Sequence, residues 1–94
     1  MYELSAAAAQ DAEAILERSI IDFGPLQTEH YFESLNRCLD LLGANPELGS
    51  SAEALRPDYR RFIHQSHIVF YRCTDGDILV VRILHRRMDA TLHI

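Results

Sequence analysis

The sequence predicts an α+β fold, an N-terminal helix hairpin packed on a small antiparallel β-sheet. Three observations carry this. Apolar residues recur at three-to-four spacing as far as Leu42, then at alternate positions from Arg60 onward. Gly24-Pro25 interrupts the helical half and starts a second helix, because proline suits the first helical position. Thr74-Asp75-Gly76-Asp77 places an Asp-Gly hairpin signal between two aliphatic runs.

In the first helix Ser5 caps the free N–H groups, and Ala8, Ala12, Ile15, Leu16 and Ile20 share a face. In the second, Tyr31, Phe32, Leu35, Cys38, Leu39 and Leu42 form the apolar stripe, and Gly43 is a natural stop. A short break between helices favours an antiparallel hairpin. Asn45 to Pro57 reads as a connector, too rich in Pro, Gly and Ser for a long element. Arg60–His64, His67–Cys73 and Ile78–His85 read as strands, and Tyr2–Leu4 as a short additional one. A two-residue turn at Asp75-Gly76 sets the register and divides the side chains between two faces. Ile68, Phe70, Leu79, Val81 and Ile83 then share the face suited to the helices. Val69, Tyr71, Val80 and Arg82 share the other, with Arg60, Phe62 and His64 beside them, and that face is expected to stay open for a partner.

The 94 residues suffice for one domain, 1–94, and 48% hydrophobic content supports a core. Cys38 and Cys73 lack a CxxC spacing and point to a reducing compartment rather than to a disulfide or zinc framework. No apolar run approaches the ~20 residues of a membrane span, and the start of the chain is unlike a signal peptide. A cytoplasmic protein is the expectation. The net charge of −5 conceals an asymmetry: acidic residues crowd the first 55 positions, whereas seven arginines lie beyond. There is no lysine, so every fixed cation is a planar guanidinium suited to carboxylate and phosphate.

Candidate chemistry is sparse. Arg60, Tyr71 and Arg82, if gathered on the open face, would bind a phosphate or carboxylate. Ordinary strand surface explains them as well. His85 at a strand end suits a general base or a hydrogen-bonded structural role. His64 and His67 flank a turn without a third ligand, so no metal and no cofactor is expected. Arg86 and Arg87 beside Asp89 read as a local ion pair or a contact for a partner.

Several stretches together resemble one family. YELSAAAAQDAEAI (2–15), DFG (22–24), NPELG (45–49), LRPDYRRF (55–62), SHIVFYR (66–72) and VVRILHRRMD (80–89) follow the order and spacing of ParE-type toxins within the RelE/ParE superfamily. The likeness covers nearly the whole chain. It implies the RelE/ParE toxin fold and the toxin half of a bacterial type II toxin–antitoxin (plasmid stabilisation) pair. The implied partner is a ParD-like antitoxin, in a hetero-oligomer that touches DNA only through antitoxin or target. The implied target is DNA gyrase, inhibited by a protein rather than by a catalysed reaction. Arg60, Phe62, Tyr71, Arg82, Arg86 and Arg87 are the residues expected at a partner surface. RelE-type relatives cleave mRNA on ribosomes. On that alternative Arg60, Tyr71, Arg82 and His85 are the catalytic candidates, although no lysine fills the basic roles. A further alternative is an inactive toxin retained to bind antitoxin.

Overall fold

The computed structural model describes residues 1–94. Strand β1 (Tyr2–Leu4) leads directly into helix α1 (Ala6–Phe23). Ser5 is its N-cap: the hydroxyl oxygen accepts the Ala8 N–H at 3.0 Å and donates to the Val81 carbonyl at 2.8 Å. One serine therefore both starts the helix and ties it to the last strand. Gly24, at φ +84°, reverses the chain, and helix α2 (Pro25–Ala44) follows with proline at its first position. Gly43 does not stop α2, which runs on to Ala44 and closes through the Asn45 N–H to the Leu41 carbonyl. Gly43 instead admits the N-terminal backbone: a Cβ there would lie 2.5 Å from the Met1 carbonyl oxygen.

The connector forms a 3-10 turn at Pro46–Leu48 and a two-residue strand β2 (Ser50–Ser51). Strands β3 (Tyr59–His64), β4 (His67–Cys73) and β5 (Ile78–His85) match the sequence reading, except that β3 starts one residue earlier. The sheet order is β1-β5-β4-β3-β2. All pairs are antiparallel but β1–β5, so the sheet is mixed rather than purely antiparallel. Parallel neighbours cannot share a tight turn, and here both helices and three strands separate them in sequence.

The Asp75-Gly76 turn closes with a Thr74 N–H to Asp77 carbonyl bond of 2.8 Å, and Cys73, Arg72 and Tyr71 oppose Ile78, Leu79 and Val80 as that turn requires. Then the register shifts: Phe70 opposes Arg82, leaving Val81 as the extra residue of a bulge. Beyond it Ile83 lies opposite Val69 and Leu84 opposite Ile68.

This corrects the expected faces. The helices cover Val69, Tyr71, Ile78, Val80 and Ile83, which pack with Ala8, Leu35, Cys38, Leu39 and Leu42; Phe62 lies at the margin. The face expected to remain open is thus the core. Burial of each large side chain there contributes roughly 1.5–3 kcal/mol. The opposite face has its own small cluster, Ala52, Phe70 and Leu84, ringed by Leu55, Tyr59, Ile68, Val81, Ala90 and Ile94. The 52–59 loop and the C-terminal 3-10 turn, Ala90–Leu92, supply this cover. Both faces are apolar, so alternation alone does not choose between them, and a one-residue bulge reassigns everything beyond it.

Candidate functional site

A groove of about 510 Å³ opens where the C-terminal half of α1 and the start of α2 diverge from the ends of β4 and β5. Ile15, Phe23, Ile83, Leu84 and Met88 give it an apolar lining, and Tyr31, His67, His85, Gln65 and Ser66 a polar wall. Helical spacing places Ile15, Ser19 and Asp22 along one side. The tight turn at Gln65, with φ +50°, brings His64 and His67 together at the other.

Three histidines and a tyrosine form one cluster. The Tyr31 hydroxyl lies 2.5 Å from His67 Nδ1, and Ser34 Oγ lies 2.7 Å from His64 Nε2. The Tyr31 ring is 5.5 Å from His67 and 5.8 Å from His64, and His67 is 5.5 Å from His85, centroid to centroid. Burial pushes the Tyr31 hydroxyl up to about 12. Burial, then repulsion from His85 and His64, pushes His67 down to about 4, and burial lowers His64 too. At neutral pH His67 is uncharged and Tyr31 keeps its proton, so these two offer hydrogen bonds rather than fixed charge. No three His, Cys, Asp or Glu side chains converge as metal ligands.

The sequence-derived candidates do not gather at one place. Tyr71 is fully buried, and its hydroxyl donates to the Pro46 carbonyl at 2.5 Å and accepts the Gly49 N–H at 2.9 Å. Arg60 donates to the Glu47 and Gly49 carbonyls, at 3.1 and 2.5 Å. These two residues hold the NPELG segment against the sheet. A side chain at Gly49 would collide with the Tyr71 ring, which is why this position is glycine. Phe62 packs at the edge of the main core.

Arg82 lies elsewhere. Its Nε and Nη2 donate to the two Asp11 oxygens, each at 2.8 Å, and Nη1 donates to the His93 carbonyl at 2.6 Å. Asp11 also accepts the Ile83 N–H at 3.0 Å. Its hydrogen bonds to Arg82 hold the guanidinium still more firmly in its charged form. Of the remaining candidates, His85, Arg86 and Arg87 are exposed at the end of β5, beside the groove.

Sequence reasoning missed Asp11, Tyr31 and Ser34 as polar partners. Tyr31 and Ser34 lie one helical turn apart, facing the pair His64 and His67; that i,i+3 spacing was the available signal. The tip of the helix hairpin is apolar and open, with Ile21 78%, Phe23 61% and Leu26 66% exposed, and Phe23 reaches from it into the groove lining. No helix is long and apolar enough to cross a membrane.

Comparison with known proteins places these features in context. Residues 2–90 match the family model described as ParE toxin of type II toxin-antitoxin system, parDE. The chain is 42% identical to Toxin ParE1 of Mycobacterium tuberculosis over 90 residues, covering 95% of this chain and 92% of that one. It is 33% identical to Toxin ParE1 of Caulobacter vibrioides over 93 residues, covering 99% and 96%. A solved structure described as the chromosomal ParDE TA system from P. aeruginosa superposes with a TM-score of 0.76 at 17% identity, over 89% of this chain and 92% of that one. At that identity the likeness establishes the fold alone.

Proposed function

The chain belongs to the ParE toxin family of type II toxin–antitoxin systems, and from that premise we propose that a ParD-like antitoxin neutralises it and that its target is DNA gyrase. The observation that carries the antitoxin half is the groove with its apolar rim. Phe23 and Leu26 stand open at the hairpin tip, next to a lined cleft. Apolar surface of this kind, rimmed by polar groups, is the mark of a protein interface. An antitoxin segment laid along the groove would cover the rim and set its acidic side chains near Arg86 and Arg87. A complex of standard size buries about 1,600 Å² in total. The pair would assemble and act in the cytoplasm, where gyrase and its DNA are.

The protein inhibits by binding, on this reading, and needs no cofactor. The layout favours this over mRNA cleavage. Of Arg60, Tyr71, Arg82 and His85, Tyr71 is sealed in the core and both arginines donate to the chain itself, leaving only His85 open.

Expression in a bacterial cell with a sensitive gyrase provides the test. DNA synthesis is expected to stop before protein synthesis, and co-expressed antitoxin is expected to restore it. Protein synthesis failing first would favour the ribosome-dependent nuclease. Unaffected growth would indicate an inactive toxin retained for antitoxin binding.

A further inference from the structure

Beside the groove lies a second recess, lined by Gln65, Ser66, His85, Arg86 and Arg87 with no hydrophobic residue. It is made where the β3–β4 turn meets the end of β5. The Arg86 N–H donates to the Ser66 carbonyl at 2.9 Å, and Arg86 Nη1 lies 3.4 Å from the Gln65 carbonyl, so the two segments are tied together.

The lining is dominated by donors. The Arg87 backbone N–H donates to His85 Nδ1 at 3.1 Å. A backbone amide can only donate, so Nδ1 is the acceptor and the ring proton sits on Nε2. The imidazole thus offers an N–H at its free nitrogen, beside two guanidinium groups and the Ser66 hydroxyl, while the Gln65 amide donates to Ser34 Oγ at 3.1 Å. No carboxylate lines the recess. The ion pairs of the molecule join the Met1 amine to Asp77, Arg18 to Asp22 and Arg82 to Asp11, leaving Arg86 and Arg87 outside all of them. Asp89, close in sequence, accepts instead from the Thr91 N–H and hydroxyl. Five other arginines also lie outside the ion pairs, so what marks Arg86 and Arg87 is their place beside the His85 N–H in a recess that holds no carboxylate.

We propose that Gln65, Ser66, His85, Arg86 and Arg87 form a binding site for the phosphate group of a phosphate ester. Two arginine forks with an imidazole N–H exceed what one carboxylate accepts in its plane, whereas a tetrahedral phosphate accepts from several directions. The ester has two chemical sources, a free nucleotide or a nucleic-acid backbone. The site rests on its own geometry and stands whether or not gyrase is the target.

The test is a titration of the isotope-labelled full chain, followed by amide NMR shifts, with inorganic phosphate, then a nucleoside triphosphate, then a short DNA duplex. Sodium acetate at matched ionic strength is the control. Inorganic phosphate is expected to shift the amides of residues 65, 66 and 85–87 saturably, with a dissociation constant on the order of millimolar. The Arg86→Gln, Arg87→Gln double variant is expected to weaken this by at least about ten-fold, with the spectrum outside the recess unchanged. Tighter binding of the triphosphate or of the duplex assigns the source. No saturable shift with phosphate, equal shifts with acetate, or unaltered affinity in the double variant would overturn the site.

Discussion

Asp11 joins three parts of the molecule. Strand β1 covers β5 only from Ile78 to Val80, so the N–H of Ile83 lies on an open edge. Asp11 accepts that N–H and grips Arg82, which reaches on to the C-terminal turn. Asp11→Ala would leave both donors without their partner. We expect it to cost about 2–4 kcal/mol, read as a lower urea midpoint with an unchanged m-value. Tyr71→Phe should cost about 1–3 kcal/mol in the same measurement, because the Gly49 N–H and Pro46 carbonyl are left unpaired in a buried setting. His67 gives the pH dependence. Its folded pKa of about 4 lies below the usual 6.5, so the unfolded chain binds the proton more readily. Stability from this source is complete above about pH 6.5 and is lost as pH falls toward 4. His64 acts in the same direction. The urea midpoint should therefore drop across that window, and less steeply in His67→Gln. These roles were scarcely legible in the sequence. Asp11 meets Arg82 across 71 positions, and no local pattern announces a contact of that range.

Among the elements, the two helices, their break at Gly24-Pro25 and the three long strands were legible because each has a local cause: a cap, a period, a turn. Ser5 is the clearest case, and Ser5→Ala should cost about 1–2 kcal/mol by thermal melt, since it removes both the cap and the bond to Val81. The assignment of sheet faces failed for an equally definite reason. The Asp75-Gly76 turn fixed the pairing as far as Tyr71–Val80, but the bulge at Val81 exchanged the faces beyond it. Val80 and Val81 are the same residue type, so no composition signal separates the paired valine from the extra one. That bulge brings Ile83 onto the core face in place of Arg82 and Leu84. Tyr71 and Phe62, expected on an open face, lie beneath the helices because both faces are apolar and alternation does not choose between them. Gly43 illustrates the same limit. Its purpose, close approach of the Met1 backbone, arises between elements that are distant in sequence.

For the whole molecule, the consequence is that the open surface lies at the hairpin tip and the groove rather than on the sheet. Ordered motifs identified the family directly, whereas the groove depends on how α1, α2 and the β4–β5 end meet. Phe23→Asp with Leu26→Asp should weaken antitoxin binding by about ten-fold or more in a calorimetric titration while leaving the fold intact, because both side chains are already exposed. The most direct measurement is a gyrase supercoiling assay with antitoxin-free protein, followed by titration of the antitoxin. Inhibition that disappears near stoichiometric antitoxin is expected, with mRNA on translating ribosomes left intact. Full supercoiling at a large excess of folded protein, or cleaved mRNA in the parallel reaction, would contradict it.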